Sequence, residues 1–84
     1  MDDHKLMQVL RTLEAQNMAL TFAMQTVLAN RNADDATLLS ALAKRPMLPH
    51  GSDSGAFSMT LSNITSAIRA RNSADAKPNE ERGQ

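Results

Sequence analysis

Cysteine, tryptophan and tyrosine do not occur in this 84-residue chain, and its phenylalanines are Phe22 and Phe57 alone. Without cysteine there is no disulfide framework, no thiolate zinc site and no cysteine nucleophile. Two phenylalanines provide no platform on which successive nucleic-acid bases could stack. An excess of one charge is missing as well. Nine basic residues balance nine acidic ones, so no net field draws the chain to nucleic acid or to an anionic membrane. No apolar run approaches the roughly 20 residues that a membrane-spanning helix needs. The opening MDDHKLMQ lacks the basic-then-apolar order of a signal peptide. These absences predict a cytoplasmic protein with no cofactor and neither nucleic acid nor membrane as a partner.

A chain this short buries only about 60–65% of the surface its unfolded form exposes and needs help to be stable. The usual helps are disulfides, a metal or oligomerisation. His4 and His50 are far apart in sequence and neither sits in a carboxylate cluster, so both read as solvated polar residues rather than acid–base or metal groups. Oligomerisation is the help that is left, and no enzymatic constellation is expected.

What is present is a long helical stripe. In Leu6 to Arg31, the positions Leu6, Leu10, Leu13, Asn17, Leu20, Met24 and Val27 follow one another at alternating steps of four and three. That spacing places them on one side of a helix, as the a and d positions of a heptad. No Gly or Pro interrupts the stretch from Asp3 to Asn30, and Asp2 and Asp3 suit the positive end of the helix dipole. Each Leu or Met fully buried on the seam contributes on the order of 1.5–3 kcal/mol. A dimer or a hairpin within the chain would use the same burial. Asn17 has two readings: a buried a-position amide that fixes register in a two-stranded pair, or a residue at a solvent edge. The same helix has a second apolar side, with Ala15, Met18, Phe22 and Ala29, and residues 15–29 carry no charge. A helix of this kind needs cover on two sides, one from a second copy and one from the rest of its own chain.

After a polar break at 30–35, Leu38, Leu39 and Leu42 mark a short second helix over about 34–45, ended by Pro46, or else a continuation of the first helix through a bend. PMLPHGSDSG, residues 46–55, is a loop rich in Pro, Gly, Ser and Asp. Its Met47 and Leu48 are expected to tuck under the hairpin, the alternative being an exposed contact. GSDSG lacks the Lys-Ser/Thr ending of a phosphate loop and reads as a turn followed by a helix cap. Phe57, Met59 and Leu61 alternate with polar residues as in a strand, yet Phe57, Leu61, Ile64 and Ile68 also form a helical stripe. No second strand is available to satisfy an isolated one, so a third helix over about 55–71 is predicted, docked through those four residues. Lys44, Arg45, Arg69 and Arg71 would form a basic patch if the second and third helices end side by side, with Arg69 and Arg71 as candidate partner contacts. Residues 72–84 hold no large apolar side chain and read as a disordered tail.

The predicted fold is therefore all-α: one helical domain over 1–71, a hairpin or three-helix unit assembled as a coiled-coil-like homodimer. MALTFAMQTVLANRNADDATLLSALAKRPMLP, followed by a polar loop and SMTLSNITSAIRAR, resembles the sigma-S-stabilising anti-adaptor proteins of enteric bacteria, of the IraP type. The likeness lies in the long first helix, the Leu and Asn near the break and the Pro-containing loop before a last helix. It implies a small non-enzymatic stress-response regulator that binds the response-regulator adaptor and so blocks delivery of sigma-S to the ClpXP protease. The Ser/Thr-rich last helix and the polar tail depart from that family, so no individual binding residue is carried over. Two other expectations stand beside it. One is a phage-type oligomeric binder of a small signalling ligand, with Arg69 and Arg71 meeting phosphates between subunits. The other is a coiled-coil chaperone or assembly module.

Overall fold

In the computed structural model, which describes residues 2–76, the chain is all-helical. It consists of α1 (Asp3–Ala29), α2 (Asp35–Ala43) and α3 (Ser54–Ala76). The three pack against one another in an elongated body of 59 × 27 × 15 Å. Among the described residues no helix is long and apolar enough to cross a membrane. Each helix opens on an aspartate whose carboxylate accepts the backbone N–H three residues on. Asp2 accepts from Lys5 at 2.8 Å, Asp34 from Thr37 at 2.8 Å and Asp53 from Ala56 at 3.0 Å. These are N-caps, satisfying donors that the first helical turn cannot pair internally.

The polar break separates two helices rather than bending one. Asn30 closes α1 by donating its backbone N–H to the carbonyls of Thr26 and Val27 and its side-chain amide to that of Thr26. Asp34, in extended conformation, then starts α2. The second loop turns at Pro49–Ser52, where Ser52 donates its N–H to the Pro49 carbonyl and Gly51 takes φ +89°. That left-handed backbone is the reason for a glycine at this point. Helix α3 replaces the strand-like alternation: Phe57 and Leu61, one turn apart, are buried, and Met59 between them is 69% exposed. It continues past the predicted end at 71 to Ala76, so the start of the predicted tail is helical, and residues 77–84 lie outside the described ones.

The core is small. Its buried members are Ala15, Ala19 and Ala23 of α1, Leu38 and Leu42 of α2, and Phe57 and Leu61 of α3. Met18, Phe22, Leu48, Ile64 and Ile68 pack around them. The Phe22 and Phe57 rings meet tilted with centroids 6.4 Å apart, inside the range of favourable aromatic pairs. Helix α1 thus gives its own chain three alanines at four-residue spacing. Side chains this small let α2 and α3 approach its backbone closely, and the large groups of the core come from the other two helices.

Candidate interaction surface

Because the alanine stripe takes the inner side of α1, the heptad seam faces outward. Leu6, Leu10, Leu13, Leu20 and Met24 are each about half exposed, and Val27 is 38% exposed. Asn17, at the centre of the seam, is exposed too. None of the seven belongs to the core. The reason is geometric. The seam lies across the helix from Ala15, Ala19 and Ala23, and one layer formed by α2 and α3 covers only one side of a helix. Met7, Val9 and Leu28 widen the exposed stripe. Nine large apolar side chains in partial exposure present on the order of 800 Å², what one partner contributes to a standard interface and more than most monomers leave open in one patch.

A second apolar feature borders the first. Asn17, Thr21 and Gln25 on α1 form one wall of an open recess of about 300 Å³, and Pro46, Met47, Leu48 and Pro49 form the other. Leu48 packs against the core, as expected of it, but Met47 is 97% exposed. Pro46 and Pro49 keep the segment out of a helix, and of its two large side chains only Leu48 turns inward.

The other end of the loop is anchored by polar groups. Thr12 donates its hydroxyl to the second carboxylate oxygen of Asp53 at 2.9 Å, tying α1 to the start of α3. The Ala56 N–H above all, and then the Thr12 hydroxyl, hold the Asp53 carboxyl below its ordinary pKa. Asp34 is lowered likewise by the Thr37 N–H.

The four cations do not form one surface. Arg71 pairs with Asp35 at 2.7 Å, and Arg45 donates to the Ser58 hydroxyl at 2.6 Å. The end of α3 therefore lies by the start of α2, and the end of α2 by the start of α3. The two helices run antiparallel, so their C-terminal ends are apart. Arg45 and Arg69 line the groove between them with Ser62 and Thr65, whereas Lys44 borders a different recess beside Asp34 and Thr37. His4 and His50 are exposed. Among the described residues no three His, Cys, Asp or Glu side chains gather as metal ligands would.

The docking residues named from sequence occupy the inner side of α3: Phe57 and Leu61 are buried, and Ile64 and Ile68 pack beside them. Sequence reasoning identified Ala15, Met18 and Phe22 as a second side of α1 but not Ala19 and Ala23, which complete it; Ala29 is exposed. The signal was there in alanine at 15, 19 and 23 within an uncharged run. The Thr12–Asp53 bond joins residues far apart in sequence and left no such signal. No protein-family model, curated protein or solved structure matches the chain.

Proposed function

We propose that this chain is a small, non-enzymatic, cytoplasmic regulatory protein that acts by binding other protein surfaces, itself included. The observation that carries the reading is the outward seam of α1, which leaves more large apolar side chains half exposed than the core fully buries. Burial of such side chains drives association just as it drives folding. The sequence likeness to sigma-S-stabilising anti-adaptors gives the reading its specific form, with a response-regulator adaptor as the partner. The test is reconstituted degradation of sigma-S by ClpXP and its adaptor, with and without a molar excess of the chain. A several-fold longer sigma-S half-life is expected. An unchanged half-life overturns the anti-adaptor assignment.

A second reading has one observation in its favour. Arg45 and Arg69 share a groove with the Ser62 hydroxyl, a donor set suited to phosphate, while the Thr65 hydroxyl beside them donates to the Ser62 carbonyl. Arg71, occupied by Asp35, does not join it. Calorimetry with a panel of cyclic nucleotides separates this ligand-binding reading from the first: heat favours it, and no heat at high protein concentration removes it.

A further inference from the structure

The outward stripe of α1 has a direction as well as an area. Continued by its own steps of three and four, it begins at Asp3 and runs through Asn17 to Val27, and Arg31 follows in the turn just past the end of α1 at Ala29. Asp3 and Arg31 are exposed. The start carries the paired acids Asp2 and Asp3, which repel their own copies, and the far end offers a cation in Arg31, with Asp34 and Asp35 beyond it.

We infer that the occupant of this stripe is a second copy of the chain, with the two α1 helices antiparallel about a two-fold axis near residues 17–20. This rests on the reading of the stripe as an association surface and adds its partner, orientation and register. Area comes first: about 800 Å² from each copy matches a standard two-partner interface. Charge decides the orientation. A parallel pair sets Asp3 against Asp3 and Arg31 against Arg31. An antiparallel pair brings the end of α1, where Arg31 follows the Asn30 cap, to the other copy's Asp3 end, and the two helix dipoles then oppose as well. Register follows from the flanking positions. Of the two antiparallel registers that interleave a with d, one places Glu14 opposite its own copy, a like-charge contact. The other sets Leu10 against Val27, Leu13 against Met24 and Asn17 against Leu20, with Leu6 reaching the turn past the other copy's α1 at Ala29. It also joins Met7 to Leu28 at the flank, which accounts for two of the three large apolar residues found beyond the a and d lines. The two Asn17 amides then sit on adjacent layers astride the axis, where each has the other as a hydrogen-bonding partner. The alanine side of α1 is already covered by α2 and α3, so the dimer is a central helix pair with one α2–α3 layer on each outer side.

The absence of cysteine allows a single label to test this. In full-length Lys5→Cys, spin-labelled at the exposed position 5, electron–electron dipolar spectroscopy at tens of micromolar should give a separation on the order of 40 Å. That is the rise between position 5 and its image in the antiparallel register. A separation below about 20 Å means a parallel pair, since packed axes are 8–10 Å apart; it overturns the inference and leaves the association surface standing. No dipolar coupling together with a monomeric mass by light scattering overturns both. Adding the exposed Leu13→Asp to the labelled chain should abolish the coupling with helical circular dichroism unchanged. Coupling that survives this change places the pairing elsewhere and overturns the inference.

Discussion

Gly51 and Gly55 stand four residues apart and are there for different reasons. Gly51 takes a left-handed backbone at φ +89° with open space around it, so a side chain would strain the turn without clashing. Gly55 lies in the first turn of α3 with ordinary helical freedom, where an added Cβ meets only the Asp53 carboxylate at 3.5 Å. Gly51→Ala should lower stability by about 1 kcal/mol, and Gly55→Ala should raise it by roughly 0.5–1 kcal/mol. Urea unfolding of the two variants checks both signs. Asp53 makes a prediction in pH. Its carboxyl is held below the ordinary 3.8 by the Ala56 N–H and the Thr12 hydroxyl. The charged form is therefore favoured in the folded state. The stability this gives is fully present above the unfolded value and is lost as pH falls through the lower folded one. Wild type should lose stability on acidification below about pH 4, and Asp53→Asn, which caps without titrating, should lose less. Equal acid sensitivity in the two chains would remove Asp53 from the account.

At the scale of elements, α1 is a helix with two working sides made of different materials. The inner side depends on smallness. Ala19 has no exposed surface and sits within the core, so a larger side chain there displaces its neighbours. Ala19→Leu should cost about 1–3 kcal/mol by overpacking, and denaturant midpoints will show it. The outer side depends on size, and its leucines make little contact with the rest of their own chain. This contrast also explains how much of the fold was legible. Leucine at steps of three and four is a strong periodic signal, so the first helix and its seam were plain in the sequence. Alanine at 15, 19 and 23 is a weak one, because a methyl group adds little to any hydrophobic pattern. The sequence therefore showed that α1 needed two covers more clearly than which side its own chain would take. For α3, the alternation at Phe57, Met59 and Leu61 competed with the four-residue spacing, and the lack of a pairing strand decided for helix. How α2 and α3 align, and so why their cations part, depended on the Arg71–Asp35 and Arg45–Ser58 contacts. Those are tertiary and leave no local trace.

The whole molecule is a thin assembly whose few large core groups come from α2 and α3, with comparable apolar material left outside on α1. A chain of this size is marginal alone, and pairing through α1 would stabilise the fold and organise the function together. In that account stability rises with protein concentration, because association favours only the folded state. The most direct measurement is sedimentation equilibrium of wild type and Leu20→Asp across the micromolar range, with helicity followed in parallel. The prediction is a dimer for wild type and a helical monomer for Leu20→Asp, with a dissociation constant at least a hundredfold weaker. A wild-type chain that sediments as a stable, fully helical monomer throughout would contradict it.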